Sequence, residues 1–300
     1  MKKPVVSVIV VVYNEETYIG KCIESILRQS FGDFELIVVD AASTDRTQEI
    51  VRGFGDKRIR YFRLSERVNI AKSRNFGIGA SRGGYVFFTD GDCSPARGWI
   101  KEGVRCLKEQ GVVGCEGRTV YVSSRYRPGL MENVVYNNGG GFFPTNNVAY
   151  KRAVFDEAGF FDESLDVAED TDMGTRASRL GEIVFVNEML VIHEKKTLSM
   201  GSFFRRVYVT DSVVRMVKRH GRCRVRGPRG IPFYNIGRVV FPFYYFVMFF
   251  PPLLIIVLMF RKIKMGSLKD FLMIPLYYVR VVFFRFFVWK TAIKERSFFI

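Results

Sequence analysis

The sequence predicts an α/β protein built on a mainly parallel sheet, and three observations carry that prediction. In the first 120 residues, short β-branched runs alternate with segments whose apolar residues recur at helical spacing. Asn14, Asp40 and Asp90 fall just past the ends of three of those runs. Strand ends are where ligands bind in open α/β sheets. The chain has 300 residues, 48% of them apolar, which is enough for a sizeable core.

Residues 5–12 are the first strand. Lys2 and Lys3 before it imitate a signal peptide, but the apolar run is short. Asn14-Glu15-Glu16 follows and no small-residue cleavage site appears, so a buried strand is expected. Ile19, Cys22, Ile23, Ile26 and Leu27 then mark one face of a helix. Residues 34–39 form a second strand. Asp45 with Gln48 starts a helix whose apolar face is Ile50 and Val51. A third strand spans 59–64, a helix 69–81, and a fully apolar strand 85–89 that ends at Asp90. Residues 112–122 have strand character. Gly139-Gly140-Gly141 marks a flexible loop. A helix over 169–180 has Met173, Ala177 and Leu180 on one face, with Gly181 at its C-terminal cap.

The last third has a different texture. Residues 1–200 carry 27 basic and 27 acidic side chains, whereas residues 201–300 carry 19 and 3. The whole net charge of +16 therefore sits in the final hundred residues, with 16 of the 29 phenylalanines. Basic residues flanking aromatic apolar runs suit a membrane surface rather than a nucleic-acid groove. Residues 203–219 have an amphipathic helical pattern and 222–229 read as a basic linker. Residues 239–260 lack charges over a length that spans a bilayer core, with Pro251-Pro252 kinking the centre. A second apolar run, 271–289, is interrupted by Arg280 and Arg285. The expected organisation is a catalytic domain over 1–220, a linker over 221–238 and a membrane region over 239–300. The five cysteines are odd in number and contain no C-x-x-C pair, so neither a disulfide framework nor a zinc site is signalled. A reducing, cytoplasmic side follows.

Four groups of residues offer chemistry. Asp90 and Asp92 straddle Gly91. In an extended segment, side chains two apart point the same way, so both carboxylates can meet one hard cation, Mg²⁺ or Mn²⁺. Gly91 lets a ligand approach the backbone closely. Set against this, a D-x-D after a strand is commonly only a polar turn. Glu169-Asp170-Thr171-Asp172 opens a helix, where acidic residues either complement the dipole or supply an ionised base. Lys72 and Arg74 either face a diphosphate or are solvated. His193 is either a metal or phosphate contact or a structural histidine.

The ordered set of motifs resembles family 2 glycosyltransferases. It comprises Val6 to Glu15 with Tyr13-Asn14, Cys22 to Gln29, Glu35 to Asp45, Ala71-Lys72-Ser73-Arg74-Asn75, Phe88-Thr89-Asp90-Gly91-Asp92, Asn146-Asn147, Gly159 to Glu163, and Glu169-Asp170-Thr171-Asp172. The resemblance covers roughly residues 5–200. It implies a GT-A fold, a Rossmann-like domain for nucleotide-diphosphate sugars. It further implies that Val12, Tyr13 and Glu15 line the nucleoside pocket and that Asp40 contacts the base. Asp90 and Asp92 would serve ribose, diphosphate and metal. Asp170 would be the base of an inverting transfer, with Glu169 and Asp172 on the acceptor side. Val12 replaces a frequent proline, and Asp40-Ala41-Ala42 replaces a frequent Asp-Asp-Gly. No Gln-x-x-Arg-Trp motif is apparent, which favours single sugar transfer. Relatives with C-terminal membrane segments often act on lipid carriers or lipid-linked glycans. The resulting expectation is a transferase at the cell membrane, catalytic domain in the cytoplasm, taking a nucleotide-sugar donor and a membrane-associated acceptor and no nucleic acid. A sugar nucleotidyltransferase and a catalytically silent membrane scaffold are the competing readings.

Overall fold

A computed structural model describes residues 3–122 and 135–194, with isolated positions between 201 and 294. The strands are β1 Val6–Val12, β2 Phe34–Asp40, β3 Ile59–Arg63, β4 Tyr85–Asp90, β5 Cys93–Pro95, β6 Val112–Tyr121, β7 Val148–Lys151 and β8 Glu182–His193. The helices are α1 Ile19–Leu27, α2 Thr47–Gly53, α3 Ile70–Ala80, α4 Trp99–Leu107, α5 Ala153–Ala158 and α6 Glu169–Ala177. All eight strands join one sheet in the order β3-β2-β1-β4-β7-β6-β8-β5.

Two strand arrangements meet in that sheet. From β3 to β4 every pairing is parallel. Beyond β4 the sheet is mixed: β7 runs antiparallel to β4 and β6, β6 parallel to β8, and β5 antiparallel to β8. Alternation along β1 sends Val6, Val8, Val10 and Val12 to one face and Ile9 to the other. The first face packs against α1, α2 and α4 through Ile23, Val51 and Trp99. The second packs against α3, α5 and α6 through Ile78, Phe155 and Met173. Both faces of the parallel strands are thus covered, which explains why β1 and β2 read as continuous apolar runs.

The sequence boundaries hold closely in this region. Asn69 is the N-cap of α3, its side chain accepting the Lys72 amide at 2.9 Å, and Ser81 is the C-cap. Such a cap contributes about 1 kcal/mol. Helix α6 ends at Ala177, three residues before the expected end. Leu180 is exposed rather than on the buried face.

The chain divides into two compact units. One comprises Met1–Val122 and Val135–Glu194, the other Ser123–Val134 and Lys195–Ile300. In the second unit, β9 Arg224–Val225 pairs antiparallel with β10 Tyr234–Asn235. The expected membrane segment 239–260 lies outside the described residues, as do all of 271–289 except the helical positions Val279 and Phe283 and most of the amphipathic pattern at 203–219. Among the described residues no helix is long and apolar enough to cross a membrane.

Candidate active site

The site forms where the strand order reverses. β1 lies between β2 and β4, so the turns leaving β1 and β4 open a crevice at their carboxyl ends. The turn after β1 is tied to the one after β2. The Asn14 amide donates to Ser43 Oγ at 2.9 Å, the Thr44 amide to Asn14 Oδ1 at 2.8 Å, and the Glu15 amide to Thr47 Oγ1 at 2.8 Å. Asn14 has φ 55, a left-handed conformation that asparagine tolerates.

The crevice is a cleft of about 590 Å³ whose walls include Val12, Tyr13, Glu15, Asp90, Gly91 and Asp92. Gly91 is required by crowding. A Cβ there would lie 2.8 Å from Val12 Cγ1 and 3.3 Å from Glu15 Cγ. The strand after this turn is what completes the acidic end. β5 pairs with β8 so that Cys93 stands opposite His193. This brings His193 Nε2 to 3.6 Å from Asp92 Oδ1. His193 Nδ1 lies 2.9 Å from the Glu194 carbonyl and donates to it, so the other ring nitrogen, Nε2, is the one that faces the Asp92 carboxylate. A carboxylate oxygen and a ring nitrogen at that distance can share a cation. The carboxylate suits Mg²⁺ or Mn²⁺, and an imidazole nitrogen beside it favours Mn²⁺ over the harder, oxygen-seeking Mg²⁺. Cys93 completes a cluster with Asp92 and His193 whose ligand atoms lie within 4.8 Å of one another. Burial and the carboxylates of Asp90 and Asp92 push its thiol well above the ordinary range, which keeps it a neutral neighbour.

From this end an ionic chain runs to the acidic helix. Arg74, buried on α3, lies 3.6 Å from Asp90 Oδ1 and donates to Glu169 Oε1. Burial raises the Asp90 carboxyl, and Arg74 opposes the rise. The next residue, Asp170, sits in the first turn of α6 and accepts the Thr171 amide at 2.7 Å. Burial, and then the Glu169 carboxylate, push Asp170 up to about 7. A carboxyl so placed exchanges its proton near neutral pH.

Four expected positions serve other purposes. Asp40 is fully buried, accepting the Ser43 amide at 2.7 Å on Oδ1 and the Tyr61 hydroxyl on Oδ2. Its carboxylate braces the turn, and Ala41 lines the cleft in its place. Lys72 is exposed and Ser73 lines the cleft. The reason is helical geometry: residues two apart on a helix diverge, so Arg74 turns inward and Lys72 outward. Asp172 has no exposed side-chain surface and pairs with Arg176 at 2.8 Å. Glu169 is buried against Arg74, so neither flanking acid faces an acceptor.

Glu116 has no role among the sequence expectations, and the structure makes it prominent. Its carboxylate, 1% exposed in the middle of β6, accepts the amides of Gly141 and Phe143 and the Asn137 side chain. Asn137 in turn accepts the Gly140 amide at 3.0 Å. The glycine-rich loop is thereby wrapped around a buried acid and rests on α6. Phe142 accepts from Thr171, and a Cβ at Gly174 would strike the Phe143 ring at 2.1 Å. A lone glutamate inside an apolar strand was the available signal, because such a charge demands partners.

Residues 7–161 match the profile described as Glycosyl transferase family 2, and the chain belongs to that family. Among its relatives is EpsJ of Bacillus subtilis, an uncharacterized glycosyltransferase 30% identical over 217 residues, 66% of this chain and 63% of that protein. The chain therefore spans less than two thirds of that relative's length. Staphylococcus aureus TarS 1–349, solved with UDP-GlcNAc, superposes with a TM-score of 0.58 at 24% identity, over 72% of this chain and 66% of that one. The mannosyltransferase PcManGT of Pyrobaculum calidifontis, solved with GDP-Man and Mn²⁺, superposes with a TM-score of 0.63 at 18% identity, over 97% and 88%. These two likenesses establish the GT-A-like nucleotide-sugar transferase fold.

Proposed function

We propose that this chain transfers a single sugar, with inversion, from a UDP- or GDP-linked donor to a membrane-associated acceptor such as a polyprenyl phosphate or lipid-linked glycan. The ionic chain from Asp92 and His193 through Asp90, Arg74 and Glu169 to Asp170 carries the proposal. It links a cation-type donor pair at the Asp90–Asp92 end of the cleft to a proton-accepting carboxyl at the start of α6, next in sequence to Glu169. Val12, Tyr13, Glu15 and Gly91 take the nucleoside, and Asp90 and Asp92 face the diphosphate end. Mg²⁺ or Mn²⁺ held by Asp92 and His193, with Asp90 beside them, would neutralise charge on the departing diphosphate. Asp170 removes the proton from the acceptor hydroxyl as that oxygen attacks the anomeric carbon. Its value of about 7 leaves it substantially ionised at neutral pH while still basic enough to accept the proton. Arg74 holds Glu169, and so the start of α6, at a fixed place beside the acidic cluster. The nucleotides bound to TarS and PcManGT, and the Mn²⁺ of the latter, support the donor class and the cation.

The membrane part rests on the sequence. The charge excess and the uncharged stretch 239–260 support attachment to a bilayer, with the catalytic unit on the cytoplasmic side. The test is nucleotide release from a panel of UDP- and GDP-sugars in native lipid extract, with and without Mg²⁺ or Mn²⁺, and the product mass determined. Release that needs the metal and disappears in Asp92→Ala is expected. Metal-independent turnover by that variant would remove the cation role, and a water-soluble product would remove the membrane acceptor.

A further inference from the structure

One cation stands in an otherwise acidic cleft. Its lining carries the carboxylates of Glu15, Asp90, Asp92 and Asp166, and among the described lining residues Arg67 is the basic one. Lys72 points to solvent and Arg74 is committed to Asp90 and Glu169. Arg67 lies in the loop between β3 and α3, exposed, with its guanidinium carbon 4.2 Å from the centre of the Tyr13 ring.

That contact is incompatible with a base stacked on the same ring face. Stacked layers sit about 3.5 Å apart, so a base between ring and guanidinium needs roughly 7 Å. We infer that Arg67 is a retractable plug: it covers Tyr13 when the cleft is empty, is displaced by the nucleobase, and then pairs with the donor's diphosphate. The inference rests on the nucleotide-sugar reading above and adds a residue to it. Two physical points favour the exchange. A cation that is itself exposed over a half-buried ring is held only weakly, so a base displaces it readily. Once released, the guanidinium meets phosphate oxygens that match its planar donors, in a cleft whose fixed side-chain charge is otherwise negative.

The plug makes opposite predictions for two ligands. With the full chain in saturating Mn²⁺, dissociation constants are measured by NMR titration for UDP, uridine, GDP and guanosine, and the base that binds more tightly is followed. In Arg67→Ala the nucleoside binds about 2–5-fold more tightly, because nothing has to leave the ring. The nucleoside diphosphate binds about 10-fold more weakly, because its phosphate partner is gone. Arg67→Lys keeps a charge and recovers part of the diphosphate affinity. Equal weakening of both ligands in Arg67→Ala would overturn the inference by making Arg67 a base-stacking residue. Both ligands staying within twofold of wild type would overturn it by making the contact idle. Absence of any nucleotide binding by the wild-type chain is a separate result that removes the nucleotide-sugar reading itself.

Discussion

The two halves of the sheet solve the same problem differently. The parallel half, β3-β2-β1-β4, is filled with valine, isoleucine and phenylalanine, and its strands pair without register shifts. Its polar side chains sit near strand ends: Ser7 and Glu35, tied to Arg60 and Arg82, at the amino ends, and Asp40 and Asp90 at the carboxyl ends, where the donor side of the cleft forms. The mixed half, β7-β6-β8-β5, carries register shifts between Val112 and Gly114 and between Gly117 and Thr119. It buries Glu116, Thr119, Asn146, Asn147 and His193 inside strands or against them. One half is a hydrophobic scaffold with function hung on its rim. The other builds its site into its own polar interior. Donor-side substitutions should therefore change chemistry and leave the fold intact, whereas substitutions in the mixed half should move both together.

Asp92→Ala is the largest test of this contrast. A loss of about 10³-fold in metal-dependent nucleotide release is expected, with an unfolding midpoint, measured without added metal, near that of the parent. A large drop in that midpoint would erase the distinction. Asp170→Asn sharpens it. Turnover should fall by about 10²-fold or more, as removal of a general base does, while the Kd for UDP or GDP stays within twofold. The parent rate should climb with pH and level off above about 7, because Asp170 must be ionised to take a proton. That limb should vanish in Asp170→Asn. The same shift has a stability consequence. A carboxyl whose folded value lies above its unfolded value weakens the fold as pH rises past the unfolded value, most fully above about 7. Asp170→Asn should then stabilise the chain at pH 8 by about 1–2 kcal/mol in urea unfolding, after allowance for partial exposure.

Glu116→Ala comes next in effect on the chemistry and first on the fold. Stranding the Gly141 and Phe143 amides and the Asn137 side chain should cost about 2–4 kcal/mol in urea unfolding. Turnover should fall with it, while the Kd for UDP or GDP, which the parallel half sets, should stay within about twofold. Lys72→Ala should be the smallest, with nucleotide release within twofold of the parent, since the side chain faces solvent.

The contrast also explains what the sequence disclosed. The parallel half was legible because each element is a local pattern: a β-branched run, a helical stripe, or the cap at Asn69. The Asp90-Gly91-Asp92 turn was legible for the same reason. Asp40 was correctly placed at a strand end, but its occupancy depends on Tyr61, one strand away. Lys72 and Arg74 are two residues apart, a spacing that shares a face on a strand and diverges on a helix. The partners of Glu116 lie 21 to 27 residues further along the chain, and Cys93 meets His193 only through the pairing of β5 with β8. Such contacts carry no local period from which they could be read.

That last pairing has a consequence for how the domain comes together. Asp92 and His193 lie about a hundred residues apart, so joining them closes a long loop, and loop closure is an entropic penalty borne by folding. A cation bound at both ends would act as a clasp between the middle of the unit and its last strand. Its binding energy would add to the stability of the folded chain in proportion to the logarithm of its concentration. Chelation would then loosen β8 before it loosened β1, and metal supply would set the lifetime of the folded unit as well as its turnover.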